Sequence, residues 1–283
     1  MRHKDRASRL ALRAAEFALH DAGLTDADDT FTSSTAAVVS TNLGNADSVC
    51  EATDTIATAG VMGLSPLTLP QTSSDVIAGW VAIRYRLRGP NLTVCNGATS
   101  GLDAVAWARN LIIAGRAEAA VVVVEPAGDV VTKVLGQQST DAAVAVVLEP
   151  SDAAASRGAR PRATITGYAR ARNLTAALVG AGATEEGPIG LWLADEAEAA
   201  GTGASHLRAA QRRIDLQTQL QLGPLSGALG VLQCAAAAAY LEGGATGNAL
   251  ATAGGPRHDA TAALLLTPPP ALRPSTQERG QHP

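Results

Sequence analysis

Two segments of the sequence place a glycine-rich turn directly before a long apolar helix, and this repeated arrangement limits the possible folds more than any other feature. The first segment is NGATSGLDAVAWA, at 96–108, and the second is GPLSGALGVLQCAAAA, at 223–238. Around both segments, β-branched runs alternate with helical patterns, and the links are short. Such alternation is typical of α/β folds, so the simplest interpretation is a duplicated α/β unit.

Hydrophobic periodicity predicts the elements of each half. We expect helices at 5–22, 100–114 and 205–220, a helix that starts near Val76 after two prolines, and an apolar helix in LSGALGVLQCAAAAAYLEGG. Strands are expected in RGPNLTV and at 35–41, 119–124, 142–148, 162–169, 189–194 and 262–266. The N-terminal half then covers 1–150 and the C-terminal half 151–267, and the proline-rich segment 268–283 is expected to be a disordered tail.

Charge and cysteine spacing argue against several classes of function. The net charge is −4 and the pI is near 5.7, so no basic surface is expected for nucleic acid or an anionic membrane. No window reaches the roughly 18 uninterrupted apolar residues of a membrane span, and the N-terminus does not resemble a signal peptide. The three cysteines show no CxxC spacing, so we expect no metal site and a reduced, cytoplasmic setting.

The stretch GPNLTVCNGATSGLDAVAWARNLIIAGRAEAAVVV resembles the active-site region of the β-ketoacyl synthases, the condensing enzymes of fatty-acid and polyketide assembly. In that family a Gly-Pro pair and a strand precede the catalytic cysteine, and a Ser-Gly pair follows it. Gly89–Pro90 and Ser100–Gly101 match these pairs without a gap. The resemblance extends to Leu266 and implies a thiolase-like fold of duplicated α-β-α-β-α layers. It also implies that the chain is truncated at the N-terminus, without the family's first strand and helix.

The catalytic residues of the family are absent from the matching positions. In the register set by the two matching pairs, the nucleophile position falls on Ala98. Pro224 stands where the family has a histidine, and the loop after 189–193 has no histidine either. The two histidines far from the termini, His206 and His258, match neither position. The resemblance therefore implies that this chain has neither the thiolate that carries the acyl group nor the imidazoles that stabilise the developing charge.

The cysteines are not expected to replace the missing nucleophile. Cys95 lies three residues before Ala98, and we expect it to be a buried thiol inside the strand. Cys234 in the apolar helix and Cys50 in a polar loop are expected to be inert. One alternative remains open, an acyltransferase that uses Cys95 or Cys234 with His206.

Within this family, the sequence looks like a short chain length factor, the subunit of type II polyketide synthases that has lost its cysteine. That resemblance implies a heterodimer with an active ketosynthase and an acyl carrier protein that brings phosphopantetheine, with no cofactor held by this chain itself. The inactive subunit would limit the growing acyl chain sterically, because a wall discriminates length better than added attraction does. A second alternative is a ketosynthase-like scaffold or carrier-binding protein without length control.

Two groups of residues are the candidates for these roles. The candidate wall, which would meet the acyl chain, lies in the helix before the elbow and comprises Val76, Ile77, Trp80 and Ile83. The candidate interface is the strand that would pair with its counterpart across a two-fold axis, as in related dimers, and comprises Leu92, Thr93, Val94, Cys95 and Asn96.

Overall fold

The computed structural model describes residues 4–24, 34–124, 136, 140–183, 187–195 and 210–269. The helices are α1 (Arg6–Asp21), α2 (Ala46–Ala59), α3 (Val76–Tyr85), α4 (Ser100–Ile113), α5 (Ser151–Ser156), α6 (Leu174–Gly180), α7 (Leu216–Gln219) and α8 (Ala228–Glu242). The strands are β1 (Thr35–Ser40), β2 (Asn91–Val94), β3 (Ala119–Val124), β4 (Val144–Leu148), β5 (Thr164–Ala171), β6 (Ile189–Leu193), β7 (Arg212–Ile214), β8 (Asn248–Gly254) and β9 (Thr261–Thr267). Short 3₁₀ turns lie at Val61–Gly63, Leu69–Thr72 and Gly97–Thr99.

The described strands form two sheets with the same internal order. The first sheet has the order β2-β1-β3-β4, and the second has the order β7-β6-β8-β9-β5 when it is read in the matching direction. In each sheet three parallel strands are followed by an antiparallel one, since β4 runs against β3 and β9 runs against β8. The duplication expected from the repeated glycine-rich turns is therefore confirmed.

The sheets and helices stack as five layers. Alternate residues of β1 point to opposite faces, as the pleat of a strand requires. Ala36 and Val38 join the inner core with α4 and α8, whereas Ala37 and Val39 join an outer core with α1 and α3. Helix α6 covers the outer face of the second sheet in a third core. This α-β-α-β-α arrangement is the one that the thiolase-like resemblance predicts.

Local sequence explains where the outer helix α1 begins and ends. The Asp5 side chain accepts a hydrogen bond of 2.6 Å from the Ser8 backbone amide, which satisfies one of the free donors of the first turn. After Ala22, the backbone turns at Gly23 with φ of +70°, a conformation that glycine adopts without strain. The 5–22 prediction for this helix is confirmed.

The two inner helices approach each other through glycine. A Cβ atom on Gly101 of α4 would lie 2.5 Å from the carbonyl oxygen of Gly227, and one on Gly230 of α8 would lie 2.4 Å from the amide nitrogen of Leu102. Both obstacles are backbone atoms, so no side chain can move aside. The glycines of the two repeated segments therefore permit the contact between the halves.

Three local expectations differ from the structure. The segment 205–220 is not one helix, because strand β7 lies within it. The Asp215 side chain then accepts hydrogen bonds from the backbone amides of Gln217 and Thr218 and starts the short helix α7. Residues 205–209 lie outside the described part. The alanine-rich strand β8 was not expected, although it is buried along its whole length. Cys50 lies in α2 rather than in a loop. Of the 268–283 segment, only 268–269 are described.

The glycine contact gives a stability prediction. Gly101→Ala is expected to lower the free energy of unfolding by about 3 kcal/mol, because the new methyl group overlaps backbone atoms of the neighbouring helix. Gly79→Ala in α3 is the matched control, since no atom lies within 4 Å of its Cβ position. That change should raise stability by about 0.5 to 1 kcal/mol through better helix propensity. Chemical denaturation of both variants measures the difference, and equal effects would contradict the packing argument.

Candidate functional site

The elbow, residues 95–100, connects β2 to α4 by a sharp turn. Strand β2 ends at Val94, and a 3₁₀ turn at Gly97–Thr99 leads directly into the first residue of α4, Ser100. Gly97 has φ of +68°, which makes the tight turn possible without strain. Ala98 follows it, half-buried, immediately before the helix N-terminus. The geometry is thus a strand-turn-helix with a methyl side chain at its apex.

The Asn42 side chain, which follows β1, fastens this turn. Its amide nitrogen donates to the Gly97 carbonyl oxygen at 2.9 Å and to the Ser226 hydroxyl at 2.8 Å. Its amide oxygen accepts from the Gly97 backbone amide at 3.1 Å and from the Ser100 hydroxyl at 2.8 Å. One side chain therefore ties the elbow to the second half of the chain.

The second-half turn, residues 223–227, lies against the elbow. The carbonyl oxygen of Pro224 accepts a hydrogen bond from the Thr140 amide at 2.9 Å, and the carbonyl oxygen of Gly227 accepts one from the Ser40 hydroxyl at 3.3 Å. Ser226 has φ of +46°, which is uncommon for a residue with a Cβ atom. Pro224, which has no ionisable side chain, occupies this turn at the predicted histidine position.

A buried carboxylate supports the elbow from below. Asp103 of α4 is 3% exposed, and it accepts hydrogen bonds from the side-chain amide of Asn96 and from the Thr99 hydroxyl, each at 2.8 Å. The Tyr168 hydroxyl donates to its other oxygen. Burial, together with this hydrogen bond, raises the pKa of Tyr168, so its hydroxyl stays a donor at neutral pH.

An arginine extends this network to the last glycine-rich loop. Arg170 of β5 donates through Nε to the Thr99 hydroxyl at 3.2 Å, and the same nitrogen lies 3.7 Å from the Asp103 carboxylate. Its Nη2 atom is 3.0 Å from the carboxylate of Asp259, in the turn between β8 and β9. Sequence patterns gave no signal for this network, because its members are far apart along the chain.

The two positions that the resemblance assigns to catalysis carry neither a nucleophile nor a general base. Ala98 carries only a methyl group, and Pro224 has no titratable atom. His258 lies exposed on the turn between β8 and β9, and its backbone amide donates to the Gly255 carbonyl oxygen at 2.8 Å. His206 lies outside the described residues. The site can therefore present backbone and hydroxyl groups, but the described part cannot carry an acyl group at Ala98.

The exposure of one thiol, that of Cys95, differs from expectation. Cys95 is exposed, just beyond the end of β2, rather than buried inside the strand. The strand is too short to cover it, because regular pairing stops at Val94. Cys234 is buried in α8 as expected, and burial raises its pKa to about 12. The Cys234 thiol is therefore protonated at neutral pH and is a poor nucleophile.

The candidate wall lies on α3, on the opposite face of the first sheet from α4. Ile77 is buried in the outer core, whereas Ile83 is 71% exposed. Val76 and Trp80 are half-buried, and the Lys4 ammonium lies 2.9 Å from the centroid of the Trp80 ring. These residues therefore do not share one surface, and the sheet separates α3 from the helix that follows the elbow.

The candidate interface lies at a sheet edge. Strand β2 pairs with β1 on one side and is the end strand of its sheet in the described part of the chain. Leu92 and Thr93 are half-buried, Val94 is buried, and Cys95 and Asn96 are exposed. An edge of this kind can pair with a strand of another subunit.

A second candidate surface was not predicted from the sequence. It is the arm, residues 46–72, which consists of α2 and the two 3₁₀ turns after it. Helix α2 has no buried residue. Exposed large apolar side chains follow the arm along its length: Val49, Ile56, Val61, Met62, Leu67 and Leu69. Six exposed large apolar side chains within 27 residues make the arm a candidate interaction surface.

Two kinds of site are absent from the described ranges. No three histidine, cysteine or acidic side chains lie close enough together to hold a metal ion. No helix of the described chain has the length and apolar character needed to cross a membrane.

The hydrogen bonds of Asn42 predict a measurable loss of stability. Asn42→Ala should lower the free energy of unfolding by about 2 kcal/mol, because it leaves polar groups of both halves unpaired. Asn45→Ala is the matched control in the same loop, where the amide donates to the Thr72 carbonyl oxygen. Its cost should be about 1 kcal/mol or less. Equal losses in urea unfolding would show that Asn42 does not fasten the elbow.

Thiol exposure predicts a difference in labelling. Iodoacetamide at pH 8 should alkylate Cys95 in the folded protein and leave Cys234 unmodified, because the Cys234 thiol is buried and its pKa is about 12. Mass spectrometry of proteolytic peptides measures both sites. In denaturant both should react. Labelling of Cys234 in the folded chain would contradict its burial.

Comparison with known proteins identifies the family. The model of the β-ketoacyl synthase N-terminal domain matches residues 1–171, which is more than half of the chain. The chain is 30% identical over 186 residues to 3-oxoacyl-(acyl-carrier-protein) synthase 2 of Rhizobium meliloti, covering 56% of this chain and 44% of that protein. It is 27% identical over 109 residues to the enzyme of the same name from Coxiella burnetii, covering 38% of this chain and 26% of that protein. The chain thus aligns with less than half of the length of these relatives.

Solved structures share the fold. A type II polyketide acyl-carrier protein in complex with its ketosynthase bound to the hexaketide superposes with a TM-score of 0.75 at 18% identity, over 94% of this chain and 84% of that one. The ishigamide ketosynthase/chain length factor superposes with a TM-score of 0.71 at 21% identity, over 93% and 81%. Together with the family match and the elbow geometry, these likenesses show that the chain belongs to the β-ketoacyl synthase family.

Proposed function

We propose that this chain is a non-catalytic ketosynthase-like subunit, a chain length factor, which pairs with an active ketosynthase in type II polyketide biosynthesis. The observation that carries the proposal is the side chain at the elbow. The family's strand, turn and helix are all present, yet Ala98 stands at the nucleophile position. A condensing enzyme needs a thiolate there, because the acyl group is held as a thioester between rounds.

The rest of the site supports a structural role for the elbow. Asn42 uses both ends of its side-chain amide to hold Gly97, Ser100 and Ser226. Asp103 and its partners hold the turn from the other side. An elbow held in this way, with a methyl group at the nucleophile position, would support the partner's reaction and would not carry the acyl group at Ala98 itself.

Two surfaces support pairing with another subunit. The end strand β2 offers main-chain groups, and the arm offers apolar side chains, of which Met62 is 96% exposed. Obligate interfaces are large and apolar, and they resemble a divided core. We assign the occupant of both surfaces to an active ketosynthase, because the similar structures include a ketosynthase/chain length factor.

The other partners follow from the same proposal. An acyl carrier protein would bring the growing chain on its phosphopantetheine to the partner's thiolate, and a carrier protein accompanies the ketosynthase in one similar structure. This chain would need no cofactor of its own. We place the complex in the cytoplasm, where the carrier-bound intermediates are made.

Length control would be steric. A wall of side chains stops the acyl chain, whereas each added methylene in an open pocket changes affinity by only about 1 to 3 kcal/mol. Of the proposed wall residues, Trp80 and Val76 are only half-buried, so part of each side chain lies outside the core. Ile77 belongs to the core with α1, so a change there would test folding rather than length.

One observation favours a second candidate function. The proposed wall on α3 and the helix after the elbow lie on opposite faces of the first sheet. That placement favours a ketosynthase-like scaffold, or a carrier-binding subunit, that supports the partner without setting product length.

The interface is tested by changing the arm. Met62→Asp, made in the chain coexpressed with its proposed partner ketosynthase, should weaken the heterodimer about 30-fold, because a charge replaces an apolar contact at the buried surface. Phe17→Asp is the matched control, since Phe17 is also an exposed large apolar side chain but lies on α1. Copurification and analytical ultracentrifugation measure the pairing. If the two variants weaken the heterodimer equally, the arm is not part of the interface.

Length control is tested on the intact complex. Trp80→Ala should lengthen the principal product by at least one extension unit, because it removes the largest side chain of the proposed wall, and Trp80→Phe should change product length less. Mass spectrometry of the reconstituted system measures the product distribution. Unchanged length in both variants, with the heterodimer intact and active, would favour the scaffold function over length control.

A further inference from the structure

Three arginines follow one another at every second position where α3 ends and the chain turns toward β2. This segment, the basic turn, comprises residues 84–88 with the sequence RYRLR, and its cations are Arg84, Arg86 and Arg88. All three side chains are exposed. The chain as a whole carries a net charge of −4. Positive charge is therefore concentrated at this turn against an acidic overall balance.

The arginines of the basic turn have no ion-pair partner among the described residues. The Arg84 guanidinium carbon lies 5.4 Å from the centroid of the Tyr85 ring, which leaves its charge uncompensated. Elsewhere in the described chain, ion pairs with carboxylates are formed by Arg6, Arg13, Arg157, Arg162 and Arg170. Like charges this close repel one another, and carboxylates of another molecule would relieve that repulsion.

Arg86 has a backbone conformation that favours glycine. It ends α3 with φ of +57° and ψ of +32°, in the left-handed region. Glycine is the usual residue at such a helix end, because a Cβ atom makes the conformation strained. The helix dipole favours cations near this end, but Arg88 lies beyond the helix. Position 86 thus carries a cation despite backbone strain, and strain of this kind is typical of functional residues.

The residues beside the arginines fix the main chain of the basic turn. Leu87 is buried in the outer core, and its amide donates to the Ala82 carbonyl oxygen at 2.9 Å. The Gly89 amide donates to the Thr35 carbonyl oxygen at 3.0 Å, and a Cβ atom on Gly89 would lie 2.6 Å from that oxygen. The backbone is therefore held against the start of β1. Its cations are presented from a fixed support, so binding would order little of the chain.

The basic turn borders the edge strand β2. Only Gly89 and Pro90 separate Arg88 from Asn91, the first residue of β2, which is in register with Ala37 of β1. Strand β2 is the end strand of its sheet among the described strands. The cations therefore lie at the rim of the edge that the proposed function assigns to the ketosynthase. Charges at the rim of an interface change the rate of association more than the final affinity.

We propose that the basic turn steers this chain onto its partner subunit by attracting carboxylates on the partner surface that borders β2. The inference rests on the proposed function, because that function supplies the ketosynthase as the occupant. Exposed ion pairs add little to the stability of a complex, since water screens them. Complementary charge nevertheless raises the rate of encounter by about 10- to 1,000-fold. The expected role of the basic turn is therefore kinetic.

Association kinetics of the full chain with the ketosynthase test the proposal. The triple variant with Arg84→Gln, Arg86→Gln and Arg88→Gln should associate about 10-fold more slowly than the natural chain at about 50 mM salt. At about 500 mM salt the difference should fall to about 2-fold or less, because salt screens the charges. The dissociation rate should stay within about 2-fold of that of the natural chain. Surface plasmon resonance measures both rates.

The matched control replaces three exposed arginines that also have no ion-pair partner among the described residues: Arg160→Gln, Arg172→Gln and Arg212→Gln. Its net charge changes by the same amount, so it should associate at nearly the natural rate. Equal slowing of both triple variants would overturn the proposal, since net charge alone would then account for the effect. Slowing that persists at high salt with faster dissociation would also overturn it, because the arginines would then form lasting contacts.

A single substitution separates steering from folding. Arg86→Gly should raise the thermal midpoint by about 2 °C, because glycine adopts the left-handed conformation without strain, and it should still slow association about 2-fold at low salt. Arg86→Lys keeps the charge and should associate at the natural rate. Unchanged association of the Arg86→Gly variant would overturn the proposed use of this side chain.

The same measurements distinguish this inference from the proposed function. If the natural chain forms no heterodimer with the ketosynthase, the proposed function and the inference both fail. If the heterodimer forms and its association rate ignores the basic turn, only the inference is overturned. If the triple variant of the basic turn binds the acyl carrier protein more weakly but associates normally with the ketosynthase, the occupant is the carrier protein and the proposal is wrong.

Discussion

The close contact between α4 and α8 is the constraint on which the rest of the structure depends. Gly101 and Gly230 let the two inner helices approach until backbone meets backbone, and the two sheets then close over them. The elbow precedes one of these helices, and the second-half turn precedes the other. The position of the elbow against the second-half turn is therefore a consequence of helix packing and does not require any catalytic residue.

The hydrogen bonds that hold the elbow are likewise independent of the side chain at position 98. The polar groups at the elbow satisfy one another: Asn42 bonds Gly97, Ser100 and Ser226, and Asp103 bonds Asn96, Thr99 and Tyr168. Each bond holds the main chain or a neighbouring side chain. None of these bonds uses the side chain of Ala98, so an alanine at this position leaves them in place. A subunit of this kind keeps its shape and its interfaces.

The sequence predicts the elements that have strong hydrophobic periodicity and the glycine-rich turns, where a Cβ atom would overlap backbone atoms of the neighbouring helix. Helices α1, α4 and α8 and the buried β-branched strands were expected, and so were the repeated units. Strand β8 was missed because its alanines carry little β-propensity and its place between β6 and β9 decides its conformation. The helix expected at 205–220 fails because β7 gains hydrogen bonds to β6 and Asp215 starts a separate helix.

The site was only partly accessible to sequence reasoning. Ala98 and Pro224 were found because motif spacing fixes them, whereas Asn42, Asp103 and Arg170 are joined only by the fold. The exposure of Cys95 depends on where pairing between β1 and β2 stops, and the apolar arm becomes visible only when α2 is found to have no core of its own. Long-range contacts leave no local pattern, so they could not be predicted.

The proposed function places acyl chemistry on a partner and not on this polypeptide. Intact-mass spectrometry of both subunits, quenched during turnover in the reconstituted system, tests it most directly. The account predicts acyl adducts on the ketosynthase and an unmodified mass for this chain at every time point. An acyl adduct that forms on this chain and is consumed at the rate of product formation would contradict it.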